Sequence, residues 1–343
     1  MSVVEKGNKM EKILTIAVPA YNIENYIEKN IVSFQKVKEQ YKPYFEVLII
    51  NDGSTDRTVE VATNLIQKDT QLDIRIIDKE NGGHGSAVNK GIELATGKYF
   101  KVIDGDDWVN PVDFETFIER LNQTDVDFII TNFTEQHVYE NREVFVKAMN
   151  VADGYQQSGI PAERIFMHSI TYKTSILKDN NIKLSEGIFY VDIQYANYPL
   201  EYINSYVYWD LNVYQYLLGR PDQSMAWKSR LKNELHHLLV TESMLSFYDK
   251  VDSEILKNVL TDVLNQLINS QYLISGVSTQ STEHLMRLTK AINESSFNYL
   301  YDKHRKTSFL MYINEKTNHR FSFLLNHFIQ RKLSEIRRMI GVE

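Results

Sequence analysis

The amino-acid sequence predicts an α/β domain built on a mostly parallel central sheet, followed by an all-α domain. Three observations carry that prediction. All six prolines lie at or before Pro221 and twelve of the fourteen glycines at or before Gly219, and these two residues punctuate the turns between short elements. Up to that point short apolar runs alternate with amphipathic stretches, which is the pattern of strand, helix, strand. Beyond about Trp227 the apolar residues recur at helical spacing instead. The expected domains are residues 1–225 and 226–343.

In the first part, strands are expected at 13–18, 45–50, 72–77 and 99–103, each a short apolar run rich in Ile, Val, Phe or Leu. Helices are expected between them at 23–39, 55–67 and 86–95. Strands joined by helices must run parallel, and such sheets bind ligands beyond the carboxyl ends of their strands. In the second part Leu231, Leu235, Leu238, Leu239 and Met244 precede Ile255, Leu256, Val259, Leu260, Val263, Leu264, Leu267 and Ile268. These stripes predict a core of four to six packed helices.

Composition narrows the function classes. The 343 residues are 43% hydrophobic and 24% charged with no cysteine, so thiolate metal sites, disulfides and a thiol nucleophile are excluded. Residues 1–12 show no secretory signal, and no apolar stretch approaches the roughly 18–20 residues of a membrane span. A cytoplasmic location is expected. Residues 1–225 carry 22 Lys and Arg against 33 Asp and Glu, whereas residues 226–343 carry 16 against 12. The acidic first part argues against nucleic acid as a partner there, because neutralising phosphates dominates such binding.

The chemistry gathers at the expected strand ends. Val18-Pro19-Ala20-Tyr21-Asn22 follows the first strand and offers Tyr21 as a stacking face. Asn51-Asp52-Gly53-Ser54-Thr55-Asp56 follows the second. Helix capping accounts for Ser54, Thr55 and Asp56, but Asp52 stands before the turn, where an acceptor could read a base N–H or a ribose hydroxyl. Asn81-Gly82-Gly83-His84-Gly85 follows the third, and glycines before a helix let a backbone approach phosphates closely. A dinucleotide fold is the competing reading, but Val88 stands where its third glycine belongs and the first strand lacks the fingerprint. The fourth strand ends in Asp104-Gly105-Asp106-Asp107. Taken alone, that acidic tip reads equally well as a solvated turn or as a site for a hard divalent cation.

Together these residues resemble the inverting glycosyltransferases of family 2, with the GT-A fold and its Rossmann-like sheet. The resemblance rests on Pro19-Ala20-Tyr21-Asn22, Asn51-Asp52-Gly53-Ser54-Thr55-Asp56, Asn81-Gly82-Gly83 with Asn89 and Gly91, and Ala95-Thr96-Gly97-Lys98-Tyr99 running into Asp104-Gly105-Asp106-Asp107. It covers roughly residues 12–225, weakening after 115. It implies a nucleotide-sugar donor, UDP-linked, bound by Pro19, Tyr21, Asp52, Asn81, Gly83 and Asp104. It also implies Mn²⁺ or Mg²⁺ on a DxD motif, with Asp106 the ligand and Asp107 a second candidate. An inverting transfer needs a general base, which the family carries as Glu-Asp at a helix start. Here Val191 replaces the Glu and Asp192 stays, so the resemblance makes Asp192 the base, an ordinary helix cap being the other reading. Gly219-Arg220-Pro221-Asp222-Gln223-Ser224 resembles the loop that closes over the diphosphate, with Arg220 and Ser224 on phosphate.

The Gln-x-x-Arg-Trp signature of processive members is absent, so a single hexosyl transfer to a glycan or lipid-linked acceptor is expected, as in bacterial surface-polysaccharide assembly. His84 is placed to touch the donor, while His236 and His237 sit on an expected helix with a structural role. The C-terminal stripe Phe321, Leu324, Leu325, Phe328, Leu333, Ile336 and Ile340 carries Arg320, Arg331, Lys332, Arg337 and Arg338. Such a basic amphipathic helix suits either docking on the bundle or peripheral contact with an anionic membrane. A sugar nucleotidyltransferase and a non-catalytic partner of another transferase are the alternative functions.

Overall fold

The computed structural model describes residues 11–138, 140–219, 227–275 and 281–298. These fall in two compact units, one within Met1–Pro161 and Ile165–Gly219, the other within Ala162–Arg164 and Arg220–Glu343. Arg220, Ser224 and the basic C-terminal stripe lie outside the described residues.

The first unit opens with β1 (Leu14–Ala20), α1 (Ile27–Gln35), β2 (Phe45–Asp52), α2 (Thr58–Ile66), β3 (Asp73–Lys79), α3 (Gly83–Leu94) and β4 (Tyr99–Val102). The order β3-β2-β1-β4 is parallel throughout. Every residue of β1 and β2 is buried, as expected of strands covered on both faces, which is why they read as mostly apolar runs. The chain continues through β5 (Trp108–Val109), α4 (Pro111–Leu121), β6 (Phe128–His137), β7 (Arg142–Val146), β8 (Tyr155–Ser158), β9 (Ile170–Lys173), α5 (Thr174–Asp179), α6 (Asp192–Asn197) and β10 (Ser205–Leu218). Beyond β4 the sheet order is β9-β6-β10-β5. Strands β6 and β10 pair in parallel, whereas β5, β7, β8 and β9 join antiparallel. Pro111 starts α4 with its missing N–H at a position that needs none, and the Asn110 side chain accepts from Val112 N–H at 3.1 Å.

Two helices start later than their sequence pattern suggests. Ile23 N–H donates to Thr58 Oγ1 at 2.8 Å and Glu24 N–H to Asp56 Oδ2 at 3.0 Å. These bonds tie the loop after β1 to the loop after β2, so α1 begins only at Ile27 and α2 at Thr58. Helix α3 does the reverse and begins at Gly83 rather than near 86. Its first amides are taken by a carboxylate from another strand.

In the second unit α7 (Trp227–Lys232), α8 (Glu234–Lys250), α9 (Glu254–Ser275) and α10 (Ser281–Glu294) are the helices among the described residues. Leu238, Met244 and Leu245 of α8 are buried, as are Val259, Leu260, Val263 and Leu264 of α9 and Leu285, Leu288 and Ile292 of α10. A buried polar chain runs through this unit. His237 Nδ1 bonds Gln271 Oε1 at 2.7 Å, Gln271 donates to Ser275, and Ser275 donates to Glu234. His237 is thus structural, held neutral because burial lowers it to about 4. Among the described residues no helix is long and apolar enough to cross a membrane.

Candidate active site

Carboxylates collect at the carboxyl ends of β2 and β4 and at the start of α6. Asp52, 3% exposed, closes β2. Its Oδ1 accepts from Gly82 N–H at 2.9 Å and from the Lys79 ammonium at 2.6 Å, and its Oδ2 accepts from Gly83 N–H at 2.7 Å. A helix start leaves its first amides without partners and favours negative charge. Asp52 therefore caps α3 across the sheet and lets a glycine-rich segment begin a helix. The amides of Gly82 and Gly83, expected to face phosphate, are spent on Asp52. Three of the roughly four acceptor positions of that carboxylate are used in turn. Asn81 lies exposed just before the capped turn, and Tyr21, 51% exposed, stands beyond β1.

The acidic tip after β4 separates its three carboxylates. Gly105 lies against β1: its N–H donates to Pro19 O at 3.1 Å, and a β-carbon there would strike Ile23 and that same carbonyl. The tip can thus sit directly on the end of β1. Asp107 turns inward and is 0% exposed. Its Oδ1 accepts from Leu217 N–H at 2.7 Å and its Oδ2 from the Tyr214 hydroxyl at 2.5 Å. Burial pushes this carboxyl well up, and the neighbouring charges of Asp106 and Asp104 push it further. Asp106 and Asp104 remain partly exposed. Asp104 Oδ1 meets His84 Nε2 at 2.8 Å. Burial works to raise Asp104, but the imidazole overrides it and holds the carboxyl below its usual range.

Asp192 is the first residue of α6. Burial alone would lower the His84 imidazole, yet it is held above its ordinary value by Asp104, with further pull from Asp192 and Asp106. The Tyr216 hydroxyl is raised by burial and then by Asp107, Asp104, Asp192 and Asp106. Asp104, Asp106 and Asp192 thus lie within electrostatic reach of the same two side chains.

The segment leading to Asp192 is stapled from two sides. Asn89 of α3 donates to Leu184 O at 2.9 Å and to Glu186 Oε1 at 3.0 Å, and accepts from Leu184 N–H at 2.9 Å. Gln194 of α6 accepts from Ser185 N–H at 2.8 Å and donates to Ser185 Oγ at 2.9 Å. Gly187 N–H donates to Gly82 O at 2.6 Å, and a β-carbon at Gly85 would collide with Ser185 O. Tyr190 turns the chain with φ 68°, a conformation uncommon for a bulky side chain.

Sequence reasoning missed the His84–Asp104 bond, the Asp107–Tyr214 and Asp107–Leu217 bonds, and Lys79 on Asp52. Only the last left a usable trace. Parallel strands in register place Lys79 directly beside Asp52, so a cation at the tip of the third strand was its signal. Among the described residues no three His, Asp or Glu side chains are grouped as a complete metal cage. A magnesium-like ion does not need such a cage, because it uses one or two carboxylates and takes its remaining ligands from water and substrate phosphates.

The family model described as glycosyl transferase family 2 matches residues 15–179. The glycosyltransferase EpsJ of Bacillus subtilis is 36% identical over 127 residues, spanning 37% of this chain and 36% of that protein. YibD of Escherichia coli is 27% identical over 245 residues, spanning 66% of this chain and 69% of that protein. The matched part is thus only about a third of EpsJ. Among solved structures, S. aureus TarS 1–349 in complex with UDP-GlcNAc matches with a TM-score of 0.60 at 17% identity, covering 95% of this chain and 92% of that one. The mannosyltransferase PcManGT of Pyrobaculum calidifontis, in complex with GDP-Man and Mn²⁺, matches with a TM-score of 0.56 at 14% identity, covering 92% and 86%. Identities this low speak to the fold alone.

Proposed function

We propose that the protein, whose residues 15–179 match the glycosyl transferase family 2 model, is an inverting glycosyltransferase. It moves one sugar from a nucleotide-sugar donor to a hydroxyl of a glycan or lipid-linked acceptor, with residues 1–225 as the catalytic domain. The observation that carries this reading is the convergence of Asp104, Asp106 and Asp192 on His84. On this reading the donor-side and acceptor-side carboxylates act on the same side chain. Tyr21 stacks on the base and Asp52 offers its remaining acceptor position to the base N–H. Pro19, Asn81 and Gly83 complete the donor side.

Asp104 uses the oxygen not held by His84 to bind ribose, and Asp106 is the residue that would hold Mn²⁺ or Mg²⁺. Such an ion supplies neutralisation of the charge that grows on the departing diphosphate. Asp107 plays a different part: buried and bonded through both oxygens, it anchors β10 to the acidic tip. Asp192 takes the proton of the acceptor hydroxyl on the face opposite the leaving group. The Asn89 and Gln194 staples fix the segment that leads to it. Arg220 and Ser224 pair with the diphosphate. UDP is the favoured nucleotide, supported by the resemblance of Tyr21 and Asp52 to a uracil-reading pair and by the UDP-GlcNAc bound to TarS.

A thermal-shift screen of UDP-, GDP-, CDP- and TDP-sugars with Mn²⁺ tests the reading. One donor class should raise the melting temperature and then release its nucleoside diphosphate when an acceptor is added. Release of pyrophosphate from a sugar phosphate and a nucleoside triphosphate would instead identify a nucleotidyltransferase. The absence of any turnover would favour a non-catalytic partner.

A further inference from the structure

The first turn of α3 is flanked by two close approaches. At Gly85 the chain from Ser185 takes the space of a β-carbon, and at Gly83 the backbone of Gly187 lies 3.3 Å from where one would stand. Between them projects His84, whose imidazole reaches Asp104. The backbone of Asp104 is held independently. Its N–H donates to the Tyr214 hydroxyl at 3.2 Å, and its carbonyl accepts from Asp107 N–H at 2.9 Å and from Asn30 at 3.3 Å. Its carboxylate has one hydrogen-bond partner among the described residues, His84. The orientation of the carboxylate therefore rests on a side chain carried by α3. That helix is fixed by Asp52 at its start and is bonded through Asn89 to the 184–186 segment.

We propose that His84 is the positioning residue for Asp104, holding one carboxylate oxygen so that the other meets the ribose of the donor. This role rests on the glycosyltransferase reading. A free aspartate swings about its last torsion with little preference, and ordering it on binding costs affinity that a pre-set partner removes. His84 also joins the two halves of the site, because its helix is bonded to the segment that leads to Asp192. The assignment concerns the N–H donor of His84 and is independent of its charge.

Calorimetric titration of the full chain with the nucleoside diphosphate, chosen from UDP, GDP, CDP and TDP, that binds wild type best tests the role. His84→Ala should weaken that nucleotide about tenfold and raise donor KM in step, with kcat at saturating donor kept within threefold. His84→Gln keeps an amide N–H at the same reach without the charge, and should restore affinity to within threefold of wild type. In an Asp104→Asn background, His84→Ala should have no further effect. Three results overturn the role: a full tenfold loss in that background, failure of His84→Gln to restore binding, or a fall in kcat with affinity unchanged. Wild type that binds none of the four nucleotides removes the glycosyltransferase reading and this role with it. Wild type that binds while the cycle is additive removes the role alone.

Discussion

The two ends of the parallel sheet treat buried carboxylates in opposite ways. At the amino-terminal end Glu46, 1% exposed, is surrounded by donors. Its Oε1 takes the Thr15 hydroxyl at 2.6 Å, the Thr96 N–H at 2.8 Å and the Thr96 hydroxyl at 2.7 Å, and its Oε2 takes Arg75. Burial works to raise this carboxyl, but these bonds and the Arg75 charge hold it below its usual value. At the other end Asp104, Asp106 and Asp107 crowd together, and Asp107 is driven well up by burial and by its neighbours. One end spends a carboxylate on stability. The other keeps three carboxylates close enough for two of them to raise the third, a common signature of a binding site.

The largest expected effect falls on the crowded end. Asp106→Ala and Asp192→Asn should each lower transfer about a thousandfold, equivalent to ~4 kcal/mol of transition-state stabilisation. Their melting temperatures should stay close to wild type. A collapse of stability in either variant would erase the contrast between the two ends.

Glu46→Ala should do the converse, costing about 3 kcal/mol of stability because buried donors lose their acceptor. Its kcat, measured well below the melting point, should match wild type. The pH dependence has a definite sign. The folded value of Glu46 is depressed, so its contribution is present above the ordinary carboxylate range and is lost as pH falls through the depressed value. Denaturant titrations of wild type and Glu46→Gln should therefore converge in acid and separate toward neutrality.

A smaller effect separates the donor and acceptor sides of the crowded end. Asn89→Ala loosens the 184–186 segment without touching the tip, and should lower transfer about tenfold, or ~1.4 kcal/mol. Nucleotide affinity, read by calorimetry, should be unchanged. Equal losses on both sides would mean that the staple supports the whole site.

The smallest effect is a gain. The folded value of Asp107 is raised, so its ionisation penalises the native state once pH rises above the ordinary aspartate range. Asp107→Asn keeps the Leu217 N–H on its amide oxygen and can turn the Tyr214 bond round, its own N–H donating to the hydroxyl oxygen, and at pH 7.5 should raise the melting temperature by about 2–4 °C. The gain should vanish near pH 3, where both states carry the proton.

Much of the sheet was legible because β1, β2 and β4 are buried on both faces and leave mostly apolar runs, interrupted by Thr15, Glu46 and Lys101. Strand β8, Tyr155–Ser158, is exposed along its length, and β7 begins with two exposed charged residues. Neither leaves a periodic trace that polar loops lack. In the site, Asp52 and the acidic tip stood out because carboxylates at the end of apolar strands need an explanation. The division of labour among Asp104, Asp106 and Asp107 did not stand out. It depends on which way each side chain leaves a tight turn, and on Tyr214 and Leu217, which arrive from more than a hundred residues away. The start of α3 was misread for a similar reason: three glycines forecast a loop, while its cap is supplied by another strand.

The bond from Leu217 to Asp107 closes a separation of 110 residues. During synthesis at about 5–20 residues per second, roughly 5–20 s pass between the two leaving the ribosome. Throughout that interval the parallel core can already pack, while Asp107 has neither β10 nor Tyr214 to cover it and stays hydrated and ionised. Completion of the acidic tip is therefore one of the last events in the life of the nascent domain. The burial that raises Asp107 arrives only when that strand docks.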